Sequence, residues 1–218
     1  MRRTRQNNIP SALIPIIAIN VIVFLVQIVT QALDIPFTQT FALSMGDLFS
    51  APYTLLTSMF MHASLFHIFI NMFILFMFGG LLEQRIGTKR FLIVYFTAGL
   101  LAAVASNFIY PMALGASGAV MGVVGVVIML MPNLKVLFFF FIPMPLWIAG
   151  ILIAFIEIIG AFGTGGNVAN VAHLVGMATG LIYGYKLKKD KKRFNRRFQK
   201  TLHLNGDDVD DYLRRGRL

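Results

Sequence analysis

The segment HASLFHIFINMFILFMFGGLL, residues 62–82, decides the fold. From Leu65 to Leu82 it holds no charged residue, and as a helix rising about 1.5 Å per residue it nearly matches the roughly 30 Å hydrocarbon core of a bilayer. Only His67 and Asn71 interrupt the apolar side chains and glycines, and a separation of four puts them on one helical face. A helix that is apolar all round is surrounded by protein or by lipid. The rest of the chain says which. Of its 218 residues 57% are of the AVILMFWYC set and 13% are charged, against about 25% charged in an ordinary soluble domain. With 21 Phe, 12 Met and a mean hydropathy of +0.76, too little polar material remains to cover a water-soluble globule. Cysteine is absent, which excludes disulfides, thiolate nucleophiles and cysteine-ligated metal centres.

Working outward, further apolar runs occur at 9–33, 91–110, 116–131, 145–162 and 167–187. Together with residues 65–82 they predict an all-α, polytopic membrane protein of six transmembrane helices. The first run follows Arg2, Arg3 and Arg5 but is too long for a secretory signal peptide and lacks a small-x-small cleavage site, so it reads as a retained signal anchor. The Phe-rich stretch 136–143, with Pro143 and Pro145 beside it, reads as an apolar connection at the membrane surface.

The basic residues test this count, because Lys and Arg gather on one side of a membrane protein. Arg2, Arg3 and Arg5 precede the first span, Arg85, Lys89 and Arg90 join the second to the third, Lys135 joins the fourth to the fifth, and the rest begin at Lys186. With six spans all 19 fall on one side; five or seven would split them. The expected organisation is a cytoplasmic N-terminus (1–8), a membrane domain (9–187) and a basic, then acidic, cytoplasmic tail (188–218). The polybasic run from Lys186 suits orientation and anionic lipid headgroups rather than nucleic acid.

Polar groups inside a membrane are costly, so each is a functional candidate. The second span carries His67 and Asn71 with His62 just before it, the fourth opens with Ser117, the fifth carries Glu157, and the sixth carries Asn170 and His173. Spans two, four and six run in the same direction, and their polar clusters fall in the first turns, roughly 9 Å below one boundary at the helical rise. Small-residue ridges at Gly118 and Gly122, and at Gly176, Gly180 and Gly184, allow close helix approach. If the ridges meet, Ser117 and His173 come within hydrogen-bonding reach. His173 can then serve as general base and Ser117 as nucleophile. The Asn71 amide, the His67 imidazole and the Ser117 backbone N–H at a helix N-terminus can supply oxyanion donors. No aspartate stands ready to complete a triad. Glu157, near the outer end of its span, is expected to snorkel or face water, and His173 to be oriented by packing or by Asn170. The chemistry calls for neither metal nor cofactor.

These residues resemble those of the rhomboid intramembrane serine proteases over about Tyr53 to Tyr185. His62-x4-His67-x3-Asn71 resembles the family's signature entering the second helix. Gly79-Gly80 through Glu83-Gln-Arg85-x-Gly87 resembles its turn into the following loop. Gly115-Ala-Ser117-Gly118 resembles the nucleophile motif, and Ala172-His173-x2-Gly176 the motif of the base. The resemblance implies an endopeptidase that cuts transmembrane protein substrates in or beside their helices through an acyl-enzyme on Ser117. It also implies a water-filled cavity and substrate entry beside the fifth span, capped by the loop to the sixth. The minimal six-span form resembles the simpler prokaryotic members, implying a multi-pass protein of a prokaryotic plasma membrane with both termini cytoplasmic. Two departures stand out. The first external loop, 34–52, lacks the Trp-Arg pair many members have, and Met121 occupies the place of a tyrosine that packs on the catalytic imidazole. Two other readings are a catalytically silent relative that binds membrane proteins, and a transporter in which His62, His67 and His173 bind metal or relay protons. Oligomeric state is not legible.

Overall fold

In the computed structural model, residues 12–138, 141–163 and 169–198 are described, together with Asp207, Asp210 and Arg214. The expected N-terminal segment 1–8 lies outside them, as do Phe139, Phe140 and residues 164–168, most of the expected capping loop. The chain is mainly helical. Its principal helices are α1 (Leu13–Ala32), α2 (Leu65–Ile86), α3 (Thr88–Asn107), α4 (Ser117–Leu130), α5 (Leu146–Phe162) and α6 (Asn170–Phe198). By length and composition α1, α2 and α3 are able to cross a membrane, and α4 and α5 are shorter apolar helices. α6 continues well beyond the apolar run into its Lys- and Arg-rich stretch.

The all-α expectation needs one correction. Two short antiparallel ladders are present: β1 (Leu43–Ser44) with β2 (Met112–Ala113), and β3 (Lys135–Phe138) with β4 (Ile142–Pro145). The second is the Phe-rich connection between α4 and α5, which satisfies its backbone by folding on itself as a hairpin. Leu137, Phe141 and Ile142 remain exposed on it. The first ladder ties the loop after α1 to the loop leading into α4. That first loop has no Trp-Arg pair, yet it is fastened by other groups: Asp47 Oδ2 accepts from Ser44 N at 2.7 Å, Asn107 Oδ1 from Leu48 N at 3.0 Å, and Thr38 Oγ1 from Gln27 Nε2 at 3.0 Å.

α4 is buried almost throughout, between α3 and α6. The glycine ridges do meet. A Cβ at Gly176 would collide with the Gly118 carbonyl, and one at Gly180 with the Gly122 carbonyl, so α4 and α6 touch backbone to backbone, as small-residue ridges permit. At the basic side Glu83, 3% exposed, accepts from Ala12 N at 3.0 Å and Leu13 N at 3.1 Å, and from Thr88 Oγ1 at 2.7 Å. This carboxylate caps the start of α1, where orphan N–H groups and the dipole favour a negative charge. Inside α2 the helix widens to a π turn at Leu75–Gly79.

Candidate active site

Ser117 is the first residue of α4 and His173 lies in the first turn of α6. The close α4–α6 contact brings them together: His173 Nε2 stands 2.8 Å from Ser117 Oγ. The loop before the serine is fixed in turn. Gly115 N donates to Ser58 O at 2.9 Å, and Gly115 has φ +130°, a conformation open to glycine and rarely to other residues. A Cβ there would also stand 2.7 Å from His67 Cε1 and 2.9 Å from its Nε2, and 3.6 Å from Ser117 Oγ. The His67 ring thus lies against the loop that leads into Ser117.

The other expected residues fall as follows. His67 opens α2 with its N–H capped by Ser64 Oγ at 3.1 Å, and its Nδ1 accepts from Ala63 N at 3.4 Å. Asn71 is buried on the same face and donates from Nδ2 to the His67 carbonyl at 2.8 Å. His62 is buried, its ring set edge-on to His67 with centroids 5.1 Å apart. Burial, reinforced by His67 and only partly offset by the Phe60 backbone, pushes His62 down to about 4, so it stays neutral near pH 7. Gly118 supports the α4–α6 contact. Met121, half-buried, lies one turn on from Ser117 along the same face of α4. Asn170 does not reach His173's orienting position: its amide sits against Gly160 of α5, where a Cβ would be 2.6 Å from Nδ2.

The position next to His173 Nδ1 belongs instead to Glu157, whose Oε1 is 2.9 Å away. The expectation that Glu157 snorkels or faces water is therefore wrong. The residue is 9% exposed and shares the inward face of α5 with Ala149 and Gly150, while Ile151, Phe155, Ile158 and Ile159 point outward. Its position along the helix hid this. Residue 157 is near the end of α5, but the neighbouring end of α6 is where His173 sits, so the two meet at similar depth. Sequence reasoning also passed over Gln27, whose amide pairs with the His62 backbone, accepting from His62 N at 2.9 Å and donating to His62 O at 3.3 Å. The available signal was a polar residue seven places from Asn20, on the same face of a largely apolar span.

Residues 50–190 match the family model described as the Rhomboid domain. The chain belongs to the rhomboid family. Among its relatives, Rhomboid protein 1, mitochondrial, of Saccharomyces cerevisiae is 30% identical over 75% of this chain and 50% of its own length. The Presenilin-associated rhomboid-like protein, mitochondrial, of Homo sapiens is 33% identical over 61% of this chain and 38% of its own. Rhomboid protease GlpG of Haemophilus influenzae is 32% identical over 59% of this chain and 68% of its own. The rhomboid chain thus spans half or less of the length of the first two. The expected prokaryotic plasma membrane is overturned, because the relatives from yeast, plant and mammals are named as mitochondrial proteins.

Proposed function

We propose that this rhomboid is an intramembrane serine endopeptidase, with Ser117 as nucleophile and His173 as general base, acting on transmembrane proteins within a lipid bilayer through six membrane-spanning helices. The observation that carries this reading is the 2.8 Å approach of His173 Nε2 to Ser117 Oγ, the geometry in which a neutral imidazole removes the hydroxyl proton as the oxygen attacks. Names of the relatives support the reaction class, since GlpG and a Toxoplasma gondii relative are called proteases. The mitochondrial names of other relatives favour a mitochondrial membrane.

Attack on a peptide carbonyl puts negative charge on its oxygen. The Ser117 N–H at the start of α4, with no carbonyl of its own helix to serve, is one donor for that charge. His67, beside Gly115, and Asn71, one turn farther along the same face, are the others. Asn71→Ala is expected to lower kcat while leaving the fold intact. Both ring nitrogens of His173 are engaged, one by Ser117 and one by Glu157, which favours the hydrolytic reading over the metal or proton transporter. The deciding experiment reconstitutes the protein in liposomes with a transmembrane reporter and a fluorophosphonate probe, comparing wild type with Ser117→Ala and His173→Ala. Wild type is expected to cut and to be labelled, and both variants to be silent. Cleavage by Ser117→Ala at the wild-type rate would sink the assignment, and a wild type that neither cuts nor labels would favour the silent relative.

A further inference from the structure

The Ser117–His173 pair suffices on paper for acyl transfer, yet the structure adds a third group that its sequence context disguised. The Glu157 carboxylate is buried against the protein near one end of an apolar helix, an expensive place for an ionisable group. Its Oε1 meets His173 Nδ1 at 2.9 Å, and among the described residues its Oε2 has no hydrogen-bond partner. A buried carboxylate kept at such cost, aimed at one imidazole and at nothing else described, is positioned for that imidazole. The alternative orienter, Asn170, is turned to Gly160.

We propose that Glu157 is the positioning residue of a Ser117–His173–Glu157 relay, an inference that rests on the hydrolytic reading of this site. An ionised carboxylate only accepts, so a neutral His173 facing it carries its proton on Nδ1 and presents the lone pair of Nε2 to Ser117. During acylation the bond from Ser117 Oγ to the scissile carbonyl carbon forms, the carbonyl π pair moves to oxygen, and the hydroxyl proton passes to Nε2. The oxyanion pair then returns to re-form the carbonyl, the C–N bond breaks, and that proton goes to the leaving amine. In deacylation water oxygen bonds to the acyl carbon as its proton passes to Nε2 and the carbonyl π pair moves to oxygen; that pair then returns, the C–Oγ bond breaks, and Nε2 gives its proton to Ser117 Oγ. Glu157 takes no proton at any stage; it holds the ring and offsets the charge of the transient imidazolium.

The test compares wild type, Glu157→Gln, Glu157→Asp, Glu157→Ala and Ser117→Ala in liposomes with a transmembrane reporter. Glu157→Gln keeps the shape but removes the charge and the obligate acceptor. Its kcat is expected to fall roughly tenfold to a thousandfold with KM unchanged, and fluorophosphonate labelling to slow in parallel. Glu157→Asp is expected to recover part of the loss and Glu157→Ala none. A readout independent of turnover is the Nδ1 proton of 15N-labelled His173, expected as a far-downfield resonance in wild type and Glu157→Asp and absent in Glu157→Gln. Wild-type kcat in Glu157→Gln, with Ser117→Ala inactive, overturns the relay and leaves the Ser117–His173 reading standing. Turnover that survives Ser117→Ala overturns that reading instead. If Glu157→Gln fails to fold, the Glu157→Asp kinetics and the wild-type resonance decide, and a wild-type protein without the downfield proton overturns the relay.

Discussion

Replacing Gly115 with alanine separates two effects that one atom imposes. The residue's φ of +130° is foreign to an L side chain, and holding alanine there costs about 1–3 kcal/mol. The new Cβ would also stand 2.7 Å from His67 Cε1, where carbon atoms rest at about 3.5 Å or more. The Gly115 backbone is held by its hydrogen bond to Ser58 O, so the His67 ring must yield, on the order of 0.8 Å if it takes up the whole difference. A misplacement approaching 1 Å in a catalytic constellation costs roughly tenfold to a hundredfold in rate. Gly46 supplies the control. It too has positive φ, +94°, but nothing lies within 4 Å of a Cβ built there. Both variants are measured for thermal unfolding in detergent and for kcat on a transmembrane reporter in liposomes. Each is expected to lose stability, and only Gly115→Ala to lose turnover beyond what its unfolded fraction explains. Equal kcat in Gly115→Ala, Gly46→Ala and wild type would refute the link from Gly115 through His67 to the chemistry.

Three further outcomes follow from the packing and the buried polar groups. Glu83→Ala strips the cap from α1 and is expected to cost roughly 1–3 kcal/mol, read as a lower Tm; an unchanged Tm contradicts the capping role. Gly180→Val drives a side chain into the Gly122 carbonyl and is expected to lower stability by about 3 kcal/mol or more and to abolish probe labelling of Ser117; wild-type labelling would mean α4 and α6 are not in backbone contact. His62 sits near 4 in the fold against an ordinary 6.5, so as pH falls from about 6.5 to 4 the unfolded chain gains a proton that the fold refuses. This contribution to stability is complete above pH 6.5 and is lost on acidification, to a limit of roughly 3–4 kcal/mol. His62→Phe is expected to flatten the fall in Tm between pH 7 and pH 4.5, and identical slopes in the two proteins would refute it.

Much of this arrangement is legible in the residues. The apolar runs announce most helices because length and composition alone decide what lipid accepts, and the two glycine ridges announce a contact because only small side chains permit it. Ser117 and His173 follow from that contact. Glu157 was harder to see. A carboxylate near a helix end has a general reason to be there, escape to water, and sequence cannot say which face of α5 turns inward. The signal lay in the relation of residue 157 to Ala149 and Gly150 along one helical face, and in the antiparallel pairing that sets one end of α5 beside the start of α6. Strand pairing was invisible for a different reason: the 135–145 hairpin has the composition of any apolar connector, and two prolines argued against regular structure there. The ladder of Leu43–Ser44 with Met112–Ala113 joins segments far apart in the chain, and no local pattern encodes it.

The cap on α1 has a mechanical consequence. An apolar rod without charges slides along the membrane normal at little cost, since lipid offers similar surroundings a turn higher or lower. In this chain α1 is stopped at both ends. Glu83 grips its first amides, and Gln27, about 14 residues and roughly 21 Å along the rod, grips the backbone of His62. Two fastenings at that distance remove both the slide and the spin of the helix. The peptide leading to His67 is thereby registered against a helix that contributes no group to the Ser117–His173 pair, so the depth of that pair is gauged from the far end of α1.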